Sequence, residues 1–263
     1  MKIGVPKEIK TKEGRVSLTP SLVEDLVNRG HTVLVEKDAG VISGFSNEEY
    51  LRTGAEMIDS KKDVYDQSDI VVKVKEPVKE ELNYLSPGPI LFSFLHLSAE
   101  PKVTKTLVDG KAIAIAFESV KLEDGQLPIL IGMSEVAGKM AAIRGANLLT
   151  HFNKGSGILL GGASGVHPGT SVILGGGTAG VRAALTAYGI GSNVVILEKD
   201  MERMRYLNEI LPKGIDVVKS DSESLNKYVK MADLLVGTVL IKNAKAPRIV
   251  SREMVRSMKK GSV

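Results

Sequence analysis

The sequence predicts an α/β protein made of two doubly wound parallel-sheet domains. Two observations carry this reading. Short β-branched runs alternate with helix-forming stretches along the chain. One strand–turn–helix–strand stretch, Ser171–Glu198, holds three glycines at the spacing Gly175-x-Gly177-x-x-Gly180. With 263 residues, 43% of them hydrophobic, the chain has material for one large or two modest cores, and the length favours two domains.

In the first half, Ile3–Val5 reads as a strand. Thr19 then caps a helix that has Pro20 at its first position and Gly30 just past its end. Thr32–Val35 is the next strand, and Ser46 with Glu49 forms a capping box for a short helix over Glu48–Thr53. Ile70–Val74, Ile90–Leu95 and Ala112–Phe117 follow as strands, with helical segments at Lys79–Leu85 and Lys102–Asp109. Five short apolar strands separated by helices imply a parallel sheet covered on both faces.

Ser134 is expected to open a long amphipathic helix running to about Leu149, the hinge between a domain over 1–132 and a second over 133–263. A glycine-rich connection, Gly155–Gly169, leads into the strand Val172–Leu174. The helix after the glycine turn is read as closed by Gly189. Then come a strand (Asn193–Leu197), a helix (Met201–Leu211), a strand (Ile215–Val218), a helix (Glu223–Met231), a strand (Leu234–Leu240) and a helix (Ser251–Lys259). Gly261 reads as a helix stop, and Ser262–Val263 as the first residues of a further strand. The expectation is a chain cut short relative to its natural architecture.

The glycine turn has a chemical purpose. Gly175 permits the tight bend, Gly177 lets backbone approach a pyrophosphate, and Gly180 lets helix and strand pack closely. The helix N-terminus that follows favours negative phosphates. Glu198, at the end of the next strand, stands where a ribose 2′-hydroxyl needs an acceptor, and it would repel a 2′-phosphate. The pattern therefore implies a Rossmann domain for NAD rather than NADP.

Composition excludes other classes. With no cysteine, disulfides, thiolate metal sites and cysteine nucleophiles are ruled out. His31, His96, His151 and His167 are not at metal-ligand spacing, so no metal is expected. A net charge of +4 is scattered among acids, and 4% aromatic content offers no stacking platform for nucleic acid. No leader is apparent and no apolar run is long enough for a bilayer, so a cytoplasmic protein without a membrane partner is expected.

In open α/β sheets, ligands bind beyond the carboxyl ends of strands. Lys75 and His96 each follow a predicted strand, and Arg15 lies in the loop before Thr19, in reach of a substrate carboxylate. A surface lysine and a satisfied core histidine are the plain alternatives, and Lys73, on the same strand face, rivals Lys75.

At these residues the sequence resembles the alanine dehydrogenase/pyridine nucleotide transhydrogenase family, and alanine dehydrogenase most closely. The resemblance rests on KIGVPKEIK at the start, GRVSLTP around Arg15, VKVKEP around Lys75 and LFSFLHLS around His96. It continues with MSEVAG from Met133, GILLGG from Gly157 and VLIKNAKAP from Val239 to Pro247. It implies reversible oxidative deamination of L-alanine with NAD to pyruvate, ammonia and NADH. It further implies that Arg15 clamps the substrate carboxylate, that Lys75 binds substrate and polarises the reacting carbonyl or imine, and that His96 is the general acid/base. Ser134, Thr178, Glu198, Arg203, Ser220, Val239 and Leu240 match cofactor-contact positions, beside Gly175, Gly177 and Gly180. A homo-oligomer, hexameric in relatives, is implied as well. Glu198 stands where the family usually has Asp, Phe94 where it has Tyr, and Ser164 where it has Pro. Family chains continue beyond this one through a strand bearing a catalytic aspartate. The alternatives are a transhydrogenase hydride-transfer subunit, a saccharopine-type dehydrogenase, and a non-catalytic NAD-binding remnant.

Overall fold

The computed structural model describes residues 1–85, 88–239 and 246–263. Two compact units divide the chain, Met1–Ile129 and Leu130–Val263.

The first unit runs β1 (Lys2–Val5), α1 (Pro20–Asn28), β2 (Thr32–Glu36), α2 (Asn47–Arg52), β3 (Glu56–Ile58), α3 (Lys61–Gln67), β4 (Ile70–Val72), β5 (Ile90–Ser93), α4 (Pro101–Asp109) and β6 (Ala114–Ala116). Among the described residues its sheet is parallel with the order β3-β2-β1-β4-β5-β6. The order reverses between β1 and β4, and in open α/β sheets ligands bind beyond the carboxyl ends of the strands at such a switch point. The sheet is sealed by valines such as Val5, Val33 and Val35, each without exposed surface. Burying one of them fully stabilises the fold by about 1.5–3 kcal/mol.

Local chemistry explains the ends of elements. Ser46 accepts from the Glu49 N–H at 3.2 Å, and Glu49 accepts from the Ser46 N–H at 2.6 Å, so the expected capping box is formed. Thr19 precedes α1 without a side-chain cap, its hydroxyl turned to Ser21 instead. Gly30 adopts φ +84°, which ends α1 as its position suggested. Strand β3 and helix α3 escape the sequence reading. The strand is three residues long and begins on Glu56, and the helix KKDVYDQ carries few apolar residues to mark a period. The segment expected as a helix over Lys79–Leu85 is a 3-10 turn over Lys79–Tyr84.

The second unit runs α5 (Pro128–Leu148, begun two residues before the division), β7 (Thr170–Leu174), α6 (Thr178–Ile190), β8 (Asn193–Glu198), α7 (Met201–Ile210), β9 (Ile215–Lys219), α8 (Ser222–Met231), β10 (Leu234–Gly237) and α9 (Arg252–Ser257). Its described strands are parallel in the order β10-β7-β8-β9. Helix α5 starts at Pro128 rather than Ser134, proline being well suited to a first helical position. Nor is it amphipathic in the expected sense. Gly138, Ala142 and Gly145 face inward, while Val136, Met140 and Ile143 are exposed. Helix α6 ends at Gly191, with φ +100°, rather than at Gly189. Val263 lies beside β10, donating to Asp233 O at 2.9 Å and accepting from Leu235 N at 2.8 Å.

The first unit buries charge beside its switch point. Lys73 has no exposed side-chain surface, and its ammonium lies 2.9 Å from Glu81 Oε2 and 3.4 Å from Glu8 Oε2. Glu81 also accepts from Val78 N at 2.9 Å. Burial pushes the Glu8 carboxyl up from its ordinary value, against the pull of the Lys73 ammonium and the N–H groups of Val74 and Lys75.

Two outcomes follow from this network. Lys73→Met leaves two buried carboxylates without their central cation, so the unfolding free energy from urea denaturation should fall by roughly 3–5 kcal/mol. Because Glu8 binds its proton more tightly folded than unfolded, its contribution is present below about pH 4.5 and lost as pH rises through the raised value. Relative to wild type, Glu8→Gln should therefore gain in thermal midpoint between acid and neutral pH. A gap that is constant with pH would contradict the raised carboxyl.

Candidate active site

Strand β7 delivers the chain to the glycine turn of the second unit. Gly175 adopts φ +97°, which only glycine takes without strain. A Cβ on Gly180 would lie 1.9 Å from Gly175 O, so the first turn of α6 sits directly on the end of β7. A Cβ on Gly177, by contrast, would meet nothing within 4 Å. Gly177 is the N-cap of α6 and Thr178 its first residue, leaving the helix N-terminus with no side-chain cap. Its first N–H groups are thereby available to an anion.

Glu198 stands at the mouth of this turn. Its Oε2 accepts from Gly176 N at 2.7 Å, and its Oε1 from Lys199 N at 2.7 Å and Asp200 N at 3.0 Å. A carboxylate has about four lone-pair sites, so three backbone bonds still leave it able to accept from a hydroxyl. Arg203 donates from Nε to Gly176 O at 2.8 Å and stacks its guanidinium over Tyr206 at 4.9 Å. Ser220 closes β9 beside them, its N–H on Glu198 O at 2.7 Å. From β10, Thr238 Oγ1 is 2.9 Å from both Leu174 O and Gly175 O, and the Val239 side chain lies against Gly175. Leu240 lies outside the described residues. Ser134 lies on α5, which crosses α6 one turn further on. There a Cβ on Gly138 would fall 2.1 Å from Ala179 O, and Arg182 pairs with Glu135. Thus Gly175, Gly177, Thr178, Gly180, Glu198, Arg203, Ser220 and Val239 converge on one turn. Thr238 joins them although the sequence reading passed over it.

The first unit gathers a different set at its strand ends. Arg15 is in the long loop after β1, Lys75 follows β4 and His96 follows β5, and β4 is paired with both β1 and β5. The Phe94 N–H bonds Val74 O at 3.2 Å, which carries the β4–β5 pairing to the residues just before Lys75 and His96. Lys73, the rival, is sealed in its ion network, whereas Lys75 is half-buried. Glu8 fixes the backbone here, its Oε1 accepting from Val74 N at 2.6 Å and Lys75 N at 3.3 Å.

Arg15 is held by Glu13 through Nε at 2.8 Å and Nη2 at 2.7 Å. The Glu13 carboxyl is held below the usual range, chiefly by this hydrogen bond, against burial; Lys75 adds a smaller electrostatic pull in the same direction. Glu13 therefore feels both Arg15 and Lys75. Glu76 is buried and paired with Lys10. Burial works to raise its carboxyl, and the Lys10 hydrogen bond with lesser help from His96 outweighs it, leaving a net lowering.

His96 is exposed, and its backbone sits at φ +49°. The imidazole stacks on Phe94, with ring centroids 5.8 Å apart and planes at 9°. The backbone N–H of His96 donates to Glu118 Oε1 at 2.7 Å. Glu8, Glu13 and Glu118 were not foreseen, since nothing in a run such as GKAIAIAFES marks a carboxylate that reaches a neighbouring strand end. Among the described residues no cluster of His, Asp and Glu is arranged to hold a metal ion, and no helix is long and apolar enough to cross a membrane.

The family described as "Alanine dehydrogenase/PNT, N-terminal domain" matches residues 4–137, and "Alanine dehydrogenase/PNT, C-terminal domain" matches residues 141–263. An alanine dehydrogenase of Methanococcus maripaludis is 49% identical over 263 residues, which are all of this chain and 70% of that protein. One from Staphylococcus haemolyticus is 48% identical with the same coverage. A solved L-alanine dehydrogenase superposes with a TM-score of 0.91 at 42% identity, covering all of this chain and 72% of its own. A transhydrogenase from Sinorhizobium meliloti shares the fold, with a TM-score of 0.82 at 24% identity over all of this chain and 76% of its own. With both family domains matched in order and nearly half of all positions identical to curated members, the chain belongs to the alanine dehydrogenase/PNT family.

Proposed function

We propose that this protein catalyses the reversible oxidative deamination of L-alanine by NAD, giving pyruvate, ammonium, NADH and a proton. What supports the reading is that Arg15, Lys75 and His96 follow three adjacent strands, β1, β4 and β5, of one sheet, in a chain similar throughout its length to proteins named alanine dehydrogenase. NAD fits the residues present. The glycine turn leaves an open approach at Gly177, the α6 N-terminus is uncapped, and Glu198 retains acceptor capacity for ribose hydroxyls.

In this reading Arg15 binds the substrate carboxylate with its planar fork, and Lys75 binds beside it. Bound NAD supplies the hydride acceptor. The chain's own part is to hold the α-carbon in line and to manage protons. Lys75 polarises the C=N bond of the imine left on the substrate when hydride departs. The substrate ammonium first gives one proton to solvent; once hydride has left, His96 takes a proton from the water that adds to the imine carbon and passes it to the nitrogen. It then takes the remaining hydroxyl proton as the C–N bond breaks, so that the carbonyl forms and the departing ammonia is protonated to ammonium. In the reverse direction His96 makes the same transfers in the opposite order. Exposure of His96 gives it access to that water. The family resemblance also supports a homo-oligomer, and a cytoplasmic location is the accompanying expectation.

The test is NADH formation from L-alanine and NAD by the purified chain. His96→Ala should lower turnover by roughly 10²–10⁴-fold while NAD affinity is unchanged. Turnover like that of wild type would remove His96 from the chemistry. The second and third glycines of the turn should separate in another assay. Gly180→Ala forces a methyl onto the Gly175 carbonyl and should cost roughly 1–3 kcal/mol of stability as well as NAD binding. Gly177→Ala should leave the melting midpoint in place and weaken NAD alone, because its methyl projects only where the pyrophosphate would lie.

A further inference from the structure

We propose that Glu118 is a positioning residue for this reaction: its carboxylate, reaching across from the 3-10 turn that follows β6, fixes the backbone at His96 and so sets the bearing of the imidazole. The inference rests on the reading of His96 as the acid/base.

Three observations meet at this point. First, His96 sits at φ +49°, a region that L-residues other than glycine resist, so the loop does not hold this conformation by its own preference. Second, the successive N–H groups of Leu95 and His96 converge on one carboxylate. Leu95 N lies 3.3 Å from each Glu118 oxygen, and His96 N is 2.7 Å from Oε1. Such a paired N–H concavity is an anion seat, and a charged acceptor gives the stronger, shorter bond. Third, the 3-10 turn that presents Glu118, Phe117–Ser119, also grips the ring side. Phe117 packs edge-on against Phe94 at 5.3 Å and 84°, and Phe94 stacks on the imidazole. One turn thus holds both backbone and ring of the same residue.

At His96 the contact is not needed to satisfy the backbone, although at Leu95 it serves the N–H of a buried residue. His96 is exposed, so water can serve its N–H once the carboxylate is gone. What would be lost is the strained backbone, and with it the direction of the imidazole.

The experiment compares wild type, Glu118→Gln and Glu118→Asp in the full chain. For Glu118→Gln, kcat for L-alanine oxidation should fall roughly tenfold to a hundredfold, the scale of a small misplacement of a catalytic group. KM for L-alanine, NAD affinity and melting midpoint should stay near wild type, since Arg15, Lys75 and the glycine turn are untouched. Glu118→Asp, which keeps the charge, should restore part of the loss. Independently of turnover, the Leu95 and His96 amides should be shifted and slow to exchange in wild type, and should lose both marks in Glu118→Gln. Unchanged kcat, or a loss that merely follows a lower melting midpoint or a raised KM, would overturn the proposal. Should wild type itself fail to oxidise L-alanine, the functional reading falls. The amide signals then decide the positioning contact alone: a change in Glu118→Gln sustains it and no change ends it.

Discussion

The first unit is organised around an ammonium taken out of water. Lys73 carries its charge into the interior between Glu8 and Glu81, and the three side chains come from the loop after β1, the end of β4 and the following 3-10 turn. A buried cation without such partners would cost several kcal/mol, so these segments are held in one arrangement or not at all. That constraint falls beside the topological switch. Glu8 spends one oxygen on Lys73 and the other on the N–H groups of Val74 and Lys75, so charge burial and the placement of the strand end are one event.

Carboxylates recur as backbone holders in each of the two units. Glu8 serves Lys75, Glu118 serves His96, and Glu198 serves Gly176 and the start of α7. Strand ends in a parallel sheet leave N–H groups pointing beyond the sheet, and irregular loops cannot satisfy them by a regular ladder. An acid delivered from a neighbouring element satisfies two or three at once and fixes the loop. Rigid support of this kind holds a reacting side chain in place without touching substrate.

The glycine turn and its strand–helix–strand setting were legible in the sequence because local spacing alone dictates them. Lys75 and His96 were legible because each follows an apolar run. The resemblance to the family is likewise carried by short contiguous motifs. What stayed hidden depends on pairs distant in sequence. Glu118 is 22 residues from His96 and Glu8 is 67 from Lys75, and no local pattern predicts either meeting. Lys73 and Lys75 looked equivalent because period-2 alternation puts both on one face, and only the buried acids separate them. Strand β3 was missed for want of apolar length. The amphipathic reading of α5 failed because its inward face is made of glycine and alanine, whose small size lets backbones approach but gives no hydrophobic period.

Glu198 carries a consequence for redesign of this protein. The side chain that would discriminate against a phosphorylated ribose is also the clasp between the end of β8 and the turn after β7. A swap to a neutral or basic residue, made to admit the phosphorylated coenzyme, would unlatch Gly176 in the same stroke. Specificity and loop shape are therefore coupled through one carboxylate. An exchange of coenzyme preference needs a second substitution that supplies Gly176 with a new acceptor.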